Sequence, residues 1–189
     1  IVQDGKPAYT LGDTAAGTPA TVTKTSKIAS FDHEATFEFP ENDNYYIATH
    51  RFTANEAMTR GSFEGYMYTF MHMMPISYCD FLVLYEDGSE WEGSAALHEE
   101  KQNLLLKSEW KTLIAYSEAQ GVGVIYNYPQ QYEGSNHIYA RTSKDKKWRG
   151  STIKRDGWEV GEVLELKLKV TPYEAGPDEW KAKGRRSEE

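Results

Sequence analysis

The sequence predicts an all-β fold, a two-layer antiparallel β-sandwich or jelly roll with one or two short helices. Three observations carry this. About ten short segments with strand character are separated by turn signals. No segment sustains an apolar period of about 3.6 residues for more than about two turns. The 189 residues are enough to bury a core without disulfide or metal staples. A βαβ arrangement would need long helices between the strands, and no such pattern is present.

In chain order, residues 1–30 are rich in Thr, Ala, Gly and Pro without a period, and read as an N-terminal arm or short edge strands. Residues 31–176 make the sandwich domain, and 177–189 a charged C-terminal tail that frays or forms a helical turn around Trp180. Segments 34–39 (EATFEF) and 45–53 (YYIATHRFT) form a hairpin across PENDN. Thr53 and Glu56 have capping-box spacing with Gly61 as a stop, which predicts a helix of one or two turns over 54–60.

Two long strands follow in 63–93, broken at Pro75, and the Asp87-Gly88 turn precedes a third. Segment 94–102 reads as a short helix behind Ser94. Strands resume at 110–117, 121–128, 136–142, 150–155 and 162–171. In the last, Leu164, Leu166, Leu168 and Val170 take one face, and Val163, Glu165, Lys167 and Lys169 the other, which meets water. Gly121 and Gly123 in GVGV mark a bulge or a crowded sheet face.

Charge narrows the partners. A formal charge of −8 and a pI near 5.2 argue against duplex nucleic acid and anionic membrane, which both recruit Lys/Arg clusters. No apolar run reaches the roughly 18 residues of a membrane span, and the N-terminus carries no signal-peptide pattern, so an exported protein would be in its mature form. The expected setting is secreted or periplasmic. Cys79, the single cysteine, lies in SYCDFLVLY and reads as a buried thiol.

Thirteen Tyr, seven Phe and five Trp make up 13 % of the chain, and the mean hydropathy is −0.68. Rings with polar edges suit stacking on the C–H faces of sugars, although Tyr and Trp are also ordinary strand formers. Strand parity in GYMYTFMHMM places Tyr66, Tyr68, Phe70, His72 and Met74 on one side and Met67, Thr69, Met71 and Met73 on the other. Burying the first set would require partners for two phenols and an imidazole. The methionines are therefore assigned to the core, and the Tyr/His face to a concave surface.

The same period groups His137, Tyr139 and Arg141 against Ile138 and Ala140, and groups Tyr46, His50 and Phe52 against Arg51. If these strands share a sheet they form one patch. Its ligand-binding candidates are Tyr66, Tyr68, His72, His137, Tyr139 and Arg141. His72, His137, Tyr139 and Arg141 are also catalytic candidates in a polysaccharide lyase. Arg or imidazolium would neutralise a uronate carboxylate and acidify the adjacent C–H, while Tyr or His would remove that proton and return one to the leaving oxygen.

Glycoside hydrolysis needs two convergent carboxylates; Glu90 and Glu92 share parity but read better as a solvated hairpin rim. The five histidines, at 33, 50, 72, 98 and 137, stand far apart, without HExxH or CxxC, so no metal or cofactor is expected. Glu41 and Asp43, with Asn42 and Asn44, could hold calcium, and a turn is the simpler reading. GxSxG, the P-loop and the dinucleotide fingerprint are absent from the sequence.

The stretch 110–128, WKTLIAYSEAQGVGVIYNY, resembles strands of β-super-sandwich modules of the galactose-mutarotase-like kind that accompany carbohydrate-active enzymes. The likeness lies in an aromatic residue, an Ala within an apolar strand, a turn, then Gly-Val-Gly-Val-x-Tyr. It implies a saccharide ligand. The family's catalytic histidines and carboxylate have no aligned counterparts here, so none is carried over. The expected function is carbohydrate binding on an aromatic- and histidine-rich concave sheet face, with lyase or hydrolase turnover left open. The alternative is a structural or protein-interaction domain that uses the same face as an oligomer interface.

Overall fold

The structure, a computed structural model, describes residues 2–3, 6–7, 20–28, 30–59, 66–75, 80–94, 101–106, 110–128, 137–141 and 147–186. For 2–3, 6–7, 66–75, 101–106, 110, 137–141 and 147–156 it describes the backbone alone. In chain order the elements begin with β1 (Val2–Gln3), β2 (Lys6–Pro7), β3 (Ala20–Ile28), β4 (Phe31–Phe39), β5 (Tyr46–Ala54), β6 (Tyr66–Pro75) and β7 (Asp80–Tyr85). They continue with β8 (Glu90–Ser94), β9 (Lys101–Leu106), β10 (Trp110–Ser117), β11 (Val122–Asn127), β12 (His137–Arg141), β13 (Lys147–Asp156), β14 (Val163–Glu174) and α1 (Trp180–Arg186). This is the antiparallel β-sandwich class predicted from the sequence, with one short helix among the described residues.

The chain divides into two compact units, Ile1–Tyr66 with Asp156–Val170, and Met67–Arg155 with Thr171–Glu189. In the first, the strand order is β2-β1-β3-β4-β5-β14, antiparallel throughout. The β4–β5 hairpin closes across 40–45, where Asn42 takes a left-handed conformation with φ 64°, one that Asn tolerates better than most residues. Alternation then sorts the side chains. Phe31, Ala35, Ala48, Phe52, Leu166, Leu168 and Val170 are buried on one face, while Asp32, Glu34, Glu38, Arg51 and Glu165 are exposed on the other. Leu166 is fully buried, worth roughly 1.5–3 kcal/mol of apolar transfer.

The helix expected over 54–60 does not form over 54–59, the described part. Met58 instead makes an isolated bridge with Trp158, with backbone hydrogen bonds in both directions, and the Asn55 N–H donates to the Ser30 carbonyl. Met58 and Trp158 are both buried, and Trp158 meets Phe31 edge to face at 4.9 Å. A helical turn would redirect those N–H groups and withdraw Met58 from Trp158. Burial at long range overrides local capping here.

In the second unit, β14 from residue 171, β11, β10, β7 and β8 follow one another. A four-stranded sheet runs β6-β13-β12-β9, and all of it except Tyr66 and Asp156 belongs to this unit. Of the segment 94–102, residues 95–100 lie outside the described residues; Ser94 ends β8, and 101–102 begin β9 rather than continuing a helix. One core cluster among the described residues is Leu82, Leu84, Ile114, Tyr116, Ile125, Ala175 and Trp180; Phe81, Val83, Leu113, Ala115 and Tyr126, of the opposite parity on β7, β10 and β11, are buried as well.

Gly123 sits against the Tyr173 ring so closely that a Cβ would fall 2.3 Å from it, which makes this the crowded face that GVGV implied. The charged tail is docked. Trp180 is buried, and Tyr173 Oη donates to the Trp180 carbonyl at 3.0 Å. Arg185 grips Glu90 through two hydrogen bonds of 2.9 and 2.6 Å, and Lys181 pairs with Glu92. Glu90 and Glu92 are thus the hairpin rim to which α1 is tied. The Arg185 bond holds the Glu90 carboxyl below its usual range.

Candidate functional site

Tyr66, Tyr68 and His72 lie on β6, and His137, Tyr139 and Arg141 on β12. Both strands belong to the four-stranded sheet with β13 between them, and β12 pairs Tyr139 with Arg149 and Arg141 with Lys147 of β13. The side chains of all six residues lie outside the described residues, as do those of the methionine face, Cys79 and His98.

The third segment singled out by parity is fully described. In β5, Tyr46, His50 and Phe52 share a face with Ala48 and Ala54. The hairpin register sets Phe52 opposite His33 and His50 opposite Ala35 of β4. The strand FDHEATFEF therefore adds Phe31, His33, Phe37 and Phe39 to the same face, and β3 adds Ser26 opposite His33. Small residues at Ala35 and Ala48 leave room beside them for the larger rings.

His33 Nε2 and His50 Nδ1 are 3.1 Å apart, and Ser26 Oγ is 3.1 Å from His33 Nδ1. The two imidazole planes are parallel with centroids 5.3 Å apart. With a nitrogen–nitrogen distance of 3.1 Å, the rings must lie edge to edge in nearly one plane, joined by an in-plane hydrogen bond. Phe52 stacks on His33 at 4.5 Å and 15°, and Phe37 meets His50 edge-on at 6.0 Å.

Burial lowers the pKa of both histidines. The charge of Lys24 adds to the effect on His33, and His33 adds to that on His50. Neutral rings bonded in this way have two tautomeric arrangements, which present either a donor or an acceptor at the outer His50 nitrogen. Beyond His50, Tyr46 lies 6.3 Å from Phe37 and 5.6 Å from Phe39, whose side chain is 40 % exposed. Burial raises the Tyr46 pKa, so its phenol stays protonated. The Phe37 ring thus adjoins an imidazole able to donate or accept, and Tyr46 and then Phe39 continue the row of rings away from it.

A groove of about 560 Å³ along the same strands is lined by Ser26 and His33 together with Thr25, Lys27, Asp32, Glu34, Arg51 and Thr53, whose parity is that of the opposite face. Lys27 stands opposite Asp32, and Glu34 opposite Arg51, so the charges of the groove balance. Glu41 and Asp43 lie in the hairpin turn, and among the described residues no group of three or more His, Cys, Asp or Glu is placed to hold a metal.

Sequence parity found Tyr46, His50 and Phe52 but missed His33, Ser26 and Phe37 as their neighbours. The signal was the hairpin itself. Closing it so that Phe39 faces Tyr46 across the turn brings His33 level with Phe52 and diagonal to His50.

No family model and no curated protein sequence matches the chain. Its fold is similar to part of an alpha-galactosidase from Geobacillus stearothermophilus, with a TM-score of 0.55 and 12% identity over 83% of this chain and 24% of the enzyme. An alpha-galactosidase from Lactobacillus brevis matches with a TM-score of 0.54 and 13% identity over 87% of this chain and 26% of its own. The chain therefore spans about a quarter of the length of these enzymes. A galactose mutarotase-like protein from Lactobacillus casei matches 85% of this chain and 72% of its own, with 11% identity and a TM-score of 0.42. At such identities the likeness is one of fold.

Proposed function

We propose that the chain binds carbohydrate, in the form of a polysaccharide, through the aromatic and histidine face of β4 and β5. The observation that carries this reading is a run of neighbouring rings on one face, in which Phe37 lies 6.0 Å from the His50 imidazole and 6.3 Å from Tyr46, and Tyr46 lies 5.6 Å from the exposed Phe39. Rings stack on sugar C–H faces, while imidazole and phenol satisfy hydroxyls that would otherwise lose their water. The fold likeness to alpha-galactosidases raises the weight of a saccharide ligand. Because β5 and the strands β6 and β12 belong to different sheets, Tyr66, Tyr68, His72, His137, Tyr139 and Arg141 are proposed as a separate set of sugar contacts on the four-stranded sheet, and the setting as secreted or periplasmic. A glycan array carrying neutral and acidic polysaccharides, probed with wild type and Phe39→Ala, tests it. Binding lost in the variant supports the reading, and no binding to any glycan rejects it.

A second reading has its own observation. Ile28 and Phe39 are 47 % and 40 % exposed on this same face, as the rim of a protein interface would be. Sedimentation decides it: a concentration-dependent dimer that Ile28→Asp abolishes favours an interface over a sugar site.

A further inference from the structure

We propose that Ser26, His33 and His50 form a nucleophilic triad for ester hydrolysis, with Ser26 Oγ as the nucleophile, His33 as its base and His50 as a positioning residue for that base. Two hydrogen bonds of 3.1 Å join them in that order, which is the relation of nucleophile to base and base to orienter that such chemistry requires. The three residues come from adjacent strands, β3, β4 and β5, and Ser26 is directly opposite His33 in the ladder. Their alignment is therefore held by sheet register rather than by loops.

A purely structural face would not call for this pair. The neighbours of His33 and His50 are Phe52 and Phe37, and among such rings two imidazoles cost desolvation that two more apolar side chains would avoid. Both rings are held toward the neutral state, the state in which His33 can accept a proton. Lys24, two residues before Ser26 on the same face of β3, is exposed, and its charge is felt at His33.

The substrate class is a carboxylic ester. Ser26 Oγ attacks the acyl carbon and its proton passes to His33 Nδ1. His33 becomes an imidazolium whose Nε2–H donates to His50 Nδ1. The bond from acyl carbon to ester oxygen breaks, and the departing alcohol takes the proton from His33, leaving acyl-Ser26. Water then attacks the acyl carbon, gives one proton to His33, and releases the acid as Ser26 Oγ recovers that proton. The sum is ester plus water to acid plus alcohol. This chemistry does not depend on the carbohydrate reading.

The test uses p-nitrophenyl acetate and a fluorophosphonate, neither of which contains a sugar. The wild-type chain should release p-nitrophenol above the buffer rate and carry the fluorophosphonate on the peptide containing Ser26. Ser26→Ala should lose at least about 100-fold of that rate. His50→Phe, which keeps a ring in place but removes the nitrogen, should lower kcat by about tenfold at unchanged KM. A label on any other residue, no label at all, or a Ser26→Ala variant as fast as wild type overturns the triad. Mapping the label needs only wild-type protein, so a variant that fails to fold does not protect the proposal.

Discussion

His33 and His50 share one plane and one hydrogen bond, nitrogen to nitrogen at 3.1 Å, so the pair can take up a first proton far more readily than a second. Burial lowers the pKa of each below 6.5, and each also carries a charge-related contribution, from Lys24 for His33 and from His33 for His50. The unfolded chain therefore binds protons more readily than the folded one as pH falls through 6.5. Stability from the pair is full above that value and is lost as pH drops through the folded pKa values. Melting temperatures measured from pH 7.5 to 5 should fall less steeply in a His33→Phe, His50→Phe double variant than in wild type. Imidazole NMR titrations with midpoints at or above 6.5 would contradict the assignment.

Leu166 and Lys167 are neighbours on β14 with opposite fates, the first fully buried and the second half-buried on the polar face. Leu166→Ala should cost about 2–5 kcal/mol and Lys167→Ala under about 0.5 kcal/mol in urea unfolding. Equal costs would mean that the face assignment is wrong.

Trp180 lies flat on Tyr116, with centroids 5.2 Å apart and planes within 2°. Trp180→Ala should therefore cost about 3–5 kcal/mol. The rim pairs matter less: Glu90 and Arg185 have side chains 38% and 39% exposed, so Glu90→Ala should cost no more than about 1 kcal/mol. Thermal melts of the two variants would check the ranking, and a larger loss for Glu90→Ala would refute it.

What was legible in the sequence was whatever repeats at short range. The alternation of 162–171, the hairpin across PENDN and the Asp87-Gly88 turn each depend on neighbours a few residues apart, and the structure has all three. What was not legible depended on partners far along the chain. Thr53 and Glu56 have helix-capping spacing, yet Met58 pairs with Trp158, one hundred residues away. The docking of the tail rests on Arg185 reaching Glu90 and Lys181 reaching Glu92, and nothing near 180–186 announces those partners. At the candidate site, parity within β5 placed His50 with Tyr46 and Phe52. The hydrogen-bonded partner His33 emerges only once the register between strands is set.

Gly123 faces Tyr173, where an added Cβ would meet two ring carbons and the hydroxyl oxygen at 2.3 to 2.5 Å. Tyr173 is itself held by its hydroxyl on the Trp180 carbonyl, so it cannot swing away without loosening α1. Gly123→Ala should cost about 1–3 kcal/mol, and adding Tyr173→Leu should recover part of that loss. Strictly additive effects in the double-mutant cycle would show that the two positions do not touch.

The sugar-binding face makes a demand that no structural role shares. Phe39 is exposed and makes a ring contact with Tyr46, so Phe39→Ala should change stability by less than about 1 kcal/mol yet weaken glycan binding by about 1–3 kcal/mol. Tyr46→Phe keeps the ring and removes only the hydroxyl, so it should reduce affinity less than Phe39→Ala and alter the ranking of sugars instead. Calorimetric titration with whichever array hit binds best would measure both, alongside Arg141→Ala. If the ligand is a uronate polymer, the Arg141 change should remove the preference for acidic over neutral glycans. A neutral-sugar site would leave that preference untouched. Phe39→Ala binding as tightly as wild type, with its fold intact, would rule out stacking on β4 and β5 as the basis of recognition.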